Sequence, residues 1–280
     1  GKELANNDDG ADKDSRLIFT APAAGDYFVE VRSVSSKGGD DYFYRLLVTD
    51  PPAPDFRLTM TPDNPTAPAG GAAVVTVTAQ RSGYTGDIPL RVENLPPGLT
   101  ASPATIRSGQ NSAIITLTAA PGTQPAGGVI RVVGTAAVNG KNLERVAVGR
   151  ETYQPPLATP QQAQQRDTVL PVAAAAVEAP YTLTLVPAAT EVKAGGKLEL
   201  TVKAARKDKY KENIAVTVVG LPPNVTASAL TINGDKTEGK ITLTVNARAP
   251  TGPASIAVQG NAKNVIVATP ATAITIQPAN

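Results

Sequence analysis

The 280-residue chain has no cysteine, no histidine and no tryptophan, and its aromatic residues make up only 4% of the total. Without cysteine, neither a disulfide nor a thiolate metal site can form. Without histidine, the commonest general base and the commonest zinc ligand are both missing. Ser-His-Asp and Cys-His catalysis are therefore excluded within this chain. Any surface that stacks on sugars has to rest on Tyr or Phe. No apolar run approaches the ~20 residues that cross a bilayer, so membrane insertion by a helix is not expected. The first residue is Gly rather than Met, with no charged-then-apolar leader after it, and the chain reads as a piece of a longer polypeptide.

What is present in quantity is turn chemistry: 25 Pro and 24 Gly among abundant Thr, Val and Ala. Such a composition predicts many short strands joined by tight turns. The net charge of +2 is unevenly spread. Residues 1–50 hold six Lys/Arg against ten Asp/Glu, and residues 171–280 hold eleven against seven. Neither imbalance is large enough to argue for nucleic acid.

One phrase occurs twice. Asn94-Leu95-Pro96-Pro97-Gly98-Leu99-Thr100-Ala101-Ser102 returns 126 residues later as Gly220-Leu221-Pro222-Pro223-Asn224-Val225-Thr226-Ala227-Ser228. Each copy follows an alternating run, Ile88/Leu90/Val92 or Ile214/Val216/Val218. The phrase itself predicts a corner: an apolar anchor, two prolines that impose an extended exit, then a residue that tolerates a left-handed backbone. Other features recur in step. Gly195-Gly196 answers Gly70-Gly71, Leu198/Leu200/Val202/Ala204 answers Ala73/Val75/Val77/Ala79, and Tyr210 answers Tyr84. Repetition at domain scale predicts two copies of one fold.

Taken in order, residues 1–50 predict a partial β domain with strands at Leu17-Ile18-Phe19, around Tyr27/Val29/Val31, and over Tyr42–Val48. Pro51–Pro54 is a stiff connector. Residues 54–150 predict a first sandwich with strands at 56–60, 73–79, 87–93, 99–106, 113–119, 129–136 and 143–148. Seven short strands in about a hundred residues suit an immunoglobulin-like sandwich. Residues 151–179, rich in Pro, Gln and Ala, predict a linker, with a short helix over Gln161–Asp167 left open. Residues 180–280 predict a second sandwich. The fold class expected is all-β: two tandem immunoglobulin-like β-sandwiches after a partial, jelly-roll-like segment.

The N-terminal features carry a family resemblance. Asn7-Asp8-Asp9, Asp14-Ser15-Arg16-Leu17-Ile18-Phe19-Thr20-Ala21-Pro22, Gly25-Asp26-Tyr27-Phe28-Val29-Glu30-Val31 and Tyr42-Phe43-Tyr44-Arg45-Leu46 follow one another in a characteristic order. The stretch resembles the C-terminal half of the bacterial pre-peptidase C-terminal (PPC) domain. The Leu-Pro-Pro phrase with its Thr-Ala-Ser, and the Gly-Gly pair, resemble the bacterial immunoglobulin-like domains that often follow it. These resemblances imply a multidomain parent that is secreted or displayed on the bacterial cell surface.

Three clusters are candidates for chemistry. Asp8, Asp9, Asp12 and Asp14 put hard oxygen ligands on one loop, with Asp40 and Asp41 on a later turn, which suits calcium; the plainer explanation is a solvated acidic loop. Tyr27, Tyr42 and Tyr44, with Phe28 and Phe43, could line a face that stacks on polysaccharide or an extracellular protein; the plainer explanation is core and edge packing. Arg206-Lys207-Asp208-Lys209-Tyr210-Lys211 is a basic loop, most simply a polar hairpin tip. No catalytic residues are singled out, since no two carboxylates pair as acid and base. The expectation is a non-catalytic extracellular spacer and interaction module whose partners are other domains of its own polypeptide. The alternative is a binding module that targets an attached hydrolase, such as a peptidase, to carbohydrate or protein.

Overall fold

The computed structural model describes residues 2–8, 15–33, 37–40, 42–50, 53–153, 164–168, 170–176 and 178–279. The chain divides into two units, Gly1–Ala53 and Pro54–Asn280. Every strand among the described residues lies in the second, and no described residue is helical. Among the described residues no helix is long and apolar enough to cross a membrane.

Its first half supplies β1 (Asp55–Thr61), β2 (Thr66–Pro68), β3 (Ala72–Ser82), β4 (Ile88–Glu93), β5 (Leu99–Ala101), β6 (Ala104–Ile106) and β7 (Ser112–Ala119). It continues with β8 (Ala126–Val129), β9 (Arg131–Val138), β10 (Lys141–Val146), β11 (Val148–Tyr153), β12 (Gln164–Thr168) and β13 (Val172–Ala176). The other half supplies β14 (Tyr181–Pro187), β15 (Glu191–Lys193), β16 (Lys197–Arg206), β17 (Ile214–Val219) and β18 (Val225–Ala227). It closes with β19 (Leu230–Ile232), β20 (Glu238–Val245), β21 (Gly252–Ala262), β22 (Val265–Ala268) and β23 (Thr272–Gln277).

The halves are two immunoglobulin-like sandwiches. In the first, β1-β3-β7-β5 packs on β10-β9-β4-β6, and β2-β13-β8 closes one side. In the second, β14-β16-β20-β18 packs on β22-β21-β17-β19, with β23 on β21 and β15 on β23. The period-2 pattern is read as expected. Val75, Val77 and Ala79 are buried while Thr78 faces solvent, and Leu198, Leu200, Val202 and Ala204 repeat this on β16. Each fully buried Leu, Ile or Val contributes about 1.5–3 kcal/mol relative to exposure. Two separate cores result, one built around Phe56, Ile88 and Leu117, the other around Tyr181, Ile214 and Leu243.

Three expectations need correction. The stretch 99–106 is two strands, because the chain leaves one sheet after Ala101 and enters the other at Ala104: β5 pairs with β7, whereas β6 pairs with β4. Residues 151–179 are not simply a linker. β11 pairs in parallel with β1, β12 pairs with β11, and β13 pairs with both β2 and β8. Ala173 and Ala175 point into the first core. A strand of one Val and four Ala carries no polar alternation, so its pattern is invisible until its neighbours are known. The candidate helix over 161–167 is strand where described, since Gln164–Thr168 forms β12, and 161–163 lie outside the described residues.

The third correction concerns residues 1–50, where no described residue is in a strand and every one is exposed. A strand is defined by its neighbours, and no described segment of that unit pairs with another. The strand order of the PPC resemblance is therefore not present among the described residues.

Within the second unit the sandwiches meet through a buried seam. Ala268 on β22 pairs with Ala72 on β3, so sheets of the two sandwiches run on into one another. Thr116 is 1% exposed, and its Oγ1 accepts a hydrogen bond from the Ala271 amide at 3.0 Å. Gly220 has a φ of 81° and leaves no room for a side chain: a Cβ would lie 2.5 Å from the Ser255 carbonyl and 2.7 Å from Ile114 Cδ1.

Candidate functional site

The repeated phrase is a corner in both copies. Leu99 N donates to Pro96 O and Val225 N donates to Pro222 O, both at 3.2 Å. Gly98 and Asn224 sit at the third turn position with φ of 81° and 63°, as a Pro-led turn with a left-handed third residue requires. Pro96, Pro222, Leu99 and Val225 are buried, while Pro97 and Pro223 are exposed. The trailing serine has its own task. Ser102 Oγ accepts from Thr116 N at 2.9 Å, and Ser102 N donates to Thr116 O at 2.9 Å. Ser228 does the same with Thr242, at 3.0 Å in each direction. The serine thus ties off the point where the chain changes sheets.

In the second copy the phrase also forms a wall. A groove of about 360 Å³ runs between the sandwiches, with Thr105, Arg107 and Gln110 on one side and Leu221, Pro223 and Ser255 on the other.

Two arginines were not singled out from the sequence for what they do. Arg81 reaches the carbonyls of Tyr84, Gly86, Ile106, Arg107 and Gln110, the shortest bond being 2.6 Å to Gly86 O. Arg206 answers it with Glu212 O at 2.6 Å, Asn233 O at 2.9 Å, Ile232 O at 3.1 Å and Lys236 O at 3.5 Å. A guanidinium has five donors in a fixed fork, so it can hold several loop carbonyls at once. The signal was there: the two recur 125 residues apart, each just before a repeated tyrosine. In the basic loop, Arg206 is thus a clamp, and Lys207 pairs with Glu178.

The candidate aromatic residues are all accessible. Phe28 is 97% exposed, Phe43 93%, Tyr44 72%, Tyr42 53% and Tyr27 39%. Core packing is thereby corrected for this group: no second layer covers them among the described residues. Tyr27 packs edge-on against Phe19 at 5.3 Å and donates its hydroxyl to Ala23 O at 2.7 Å. No ring contact joins it to Tyr42 or Tyr44.

Of the calcium candidates, Asp9, Asp12 and Asp14 lie outside the described residues, as does Asp41. Asp8 is exposed, and its main-chain oxygen accepts from Ser15 Oγ at 2.6 Å. Among the described residues no three His, Cys, Asp or Glu side chains come together in a way that could hold a metal.

Several carboxylates of the sandwiches are engaged by cations at the surface. Asp55 takes a forked pair of bonds from Arg145, both at 2.9 Å, and that contact lowers its pKa below the ordinary value. Arg150 does the same to Asp167. Arg91 bridges Glu93 and Glu144, and Arg131 also reaches Glu93. Asp55 and Asp167, held ionised by their arginines, are the opposite of what a general acid needs.

No family model matches the chain, and no curated protein matches its sequence. Solved structures of β-domain proteins do align with it. FdeC, an Escherichia coli adhesin, aligns at a TM-score of 0.28 and 20% identity over 80% of this chain and 64% of its own. The Yersinia pseudotuberculosis adhesin InvE aligns at 0.26 and 17% over 79% of this chain and 58% of its own. Domains 4 and 5 of the S-layer protein SbsC align at 0.24 and 16% over 80% of this chain and 98% of theirs. The chain thus spans less than two thirds of the length of the two adhesins. Superpositions this loose say nothing of activity.

Proposed function

We propose that this chain is a non-catalytic spacer module of a larger extracellular bacterial protein, with residues 54–280 acting as one stiff segment. The observation that carries this reading is the seam. Ala72, Thr116, Ala257 and Ala268 are each no more than 1% exposed there, and a main-chain pair joins β3 to β22. Tandem domains joined by a free linker reorient independently, whereas a buried seam with shared hydrogen bonds holds one angle. A spacer that keeps a partner domain at a set distance needs the second behaviour. The absence of His and Cys from the sequence and the pairing of surface carboxylates with Arg and Lys fit a module without its own chemistry.

Residual dipolar couplings on the full chain test the reading. Amides of residues 55–153 and of residues 181–277 are expected to share one alignment tensor. Two independent tensors would overturn the stiff spacer. Tyr42 and Tyr44, with accessible rings, support the second reading, a module that targets an attached hydrolase to carbohydrate or protein. Glycan-array binding that is lost in Tyr44→Ala would favour it.

A further inference from the structure

The two sandwiches differ at one edge. In the first, β1 has a neighbour on each side: β3 in antiparallel register and β11 in parallel, with Thr59 opposite Val148 and Met60 opposite Gly149. The corresponding strand of the second is β14, whose Tyr181, Leu183 and Leu185 stand 125 residues beyond Phe56, Leu58 and Met60. β14 pairs with β16 alone and is the last strand of its sheet among the described residues.

The ladder shows which groups face the open side. Lys207 N donates to Pro180 O and Ala188 N donates to Glu199 O, both at 2.9 Å and both in the register that sets Tyr181 opposite Arg206. Antiparallel residues alternate between bonded and non-bonded pairs. Thr182, Thr184 and Val186 therefore turn their amides and carbonyls toward β16, and Tyr181, Leu183 and Leu185 turn theirs away from it. The strand has no charged residue, and its one proline, Pro187, is the last of its seven positions, so the stretch 181–186 lacks the usual protection of a sheet edge.

The same chain holds an unpaired segment of strand-forming residues. Tyr42-Phe43-Tyr44-Arg45-Leu46-Leu47-Val48 is also seven residues long, is aromatic or aliphatic at every position but Arg45, and is exposed throughout. It lies between Asp40 and Asp50 in a stretch with an excess of acid, whereas β14 belongs to the basic part of the chain and has Lys203 opposite Thr184. We propose that the 42–48 segment of a second copy adds to the open edge of β14, as β11 adds to β1 within the first sandwich. Main-chain hydrogen bonds supply the affinity of such strand addition, and alternate side chains supply its selectivity.

Sedimentation equilibrium on the full chain tests this with two variants. Thr184→Lys/Val186→Lys blunts the edge through two exposed side chains and leaves the 42–48 segment intact. Leu46→Pro removes a main-chain donor from that segment and leaves the edge intact. The parent is expected to self-associate, each variant alone to do so at least tenfold more weakly, and an equimolar mixture to form a one-to-one heterodimer. Heterodimer formation shows that the β14 edge of Leu46→Pro is folded, and a thermal unfolding transition matching the parent's checks the second sandwich of Thr184→Lys/Val186→Lys. A parent that is monomeric at every concentration would overturn the proposal. So would undiminished association of Leu46→Pro, which signals edge-to-edge pairing of two β14 strands, or a mixture that stays monomeric.

Discussion

The two sandwiches fill the same plan with different side chains, and the places where they differ separate what the fold requires from what it tolerates. Both keep a buried aromatic on the first strand against the tyrosine of the following loop. Phe56 lies 5.8 Å from Tyr84 in one, and Tyr181 lies 5.9 Å from Tyr210 in the other. Both keep the arginine clamp, the serine at the sheet crossing and the Pro-led corner. They part at the hydroxyl of Tyr181, at Gly98 against Asn224, and at the hairpin β11–β12, which among the described residues only the first possesses. The first sandwich has covered its edge with that hairpin; the second has not. The shared features are those that satisfy main-chain groups where the chain turns or changes sheets, which no packing of methyl groups can replace.

The largest effect should come from breaking what the sandwiches share. Arg81→Ala leaves five loop carbonyls without their donor, and Arg206→Ala leaves four. Hydrogen bonds to charged groups are worth about 1.5–3 kcal/mol each in net terms. Water can reach some of these loops, so a loss of about 3 kcal/mol is expected for either variant. Chemical denaturation monitored separately in each sandwich checks it, and Lys at either position should restore little, since an ammonium lacks the planar fork. A loss below about 1 kcal/mol would place the clamp among ordinary surface arginines.

A middle-sized effect concerns the hydroxyl present in only one copy. Tyr181 is fully buried and donates at 2.9 Å to Gly260 O and at 2.8 Å to Val265 O. Burial pushes its phenol from 10 up to about 12, with Tyr210 adding to the shift. A raised value means the folded chain keeps its proton where the unfolded chain has released it. The stabilisation is therefore complete below pH 10 and is lost as pH rises from 10 through about 12. Tyr181→Phe should cost the second sandwich about 1–2 kcal/mol at neutral pH and should flatten its alkaline loss. The first sandwich, which has Phe56 at this place, serves as the internal reference. An unchanged alkaline slope in the variant would assign the loss to another group.

The difference between the copies also explains which features could be read from the sequence. Val75, Val77, Leu200 and Val202 announce their faces because each is flanked by polar residues on the opposite phase. The turn at Gly98 was legible because Pro-Pro-Gly restricts the backbone wherever it occurs. β13 was not legible, since Ala173–Ala176 look alike on both faces and only the neighbours β2 and β8 decide which are buried. The clamp role of Arg81 and Arg206 was not legible, because a charged residue at a strand end ordinarily means solvent, as in the polar-tip reading of the loop that contains Arg206, and the carbonyl partners of each come from two separate loops. The strands expected in residues 1–50 show the converse: Tyr42–Val48 has a strand pattern, but a pattern alone supplies no partner. Of the candidate sites, the aromatic cluster was read most simply as core and edge packing, and nothing in its sequence indicated that Tyr27 would bend back onto Phe19 and Ala23.

The smallest effect is the most specific. Asn224 adopts a left-handed φ of 63° where the first copy has Gly98 at 81°, and asparagine enters that region at modest cost. Yet Gly98 could not simply become Asn. A Cβ there would lie 2.5 Å from Thr123 Cγ2, and Thr123 is held in place because its Oγ1 donates to Ala120 O at 2.8 Å. At the matching position, 126 residues on, the second copy has Ala249, whose amide makes the same turn bond, to Asn246 O at 2.9 Å. The exchanges Gly98→Asn224 and Thr123→Ala249 between copies are therefore coupled. Gly98→Asn alone should cost about 1–2 kcal/mol from contact and backbone strain. In a Thr123→Ala background the same change should cost only a few tenths, a coupling of about 1 kcal/mol between touching residues. Asn224→Gly, which gives up only the 3.3 Å bond from Nδ2 to Arg248 O, should move stability by less than about 0.5 kcal/mol. Additive costs in the cycle would mean that the two copies reached different turn residues independently of the side chain beneath them.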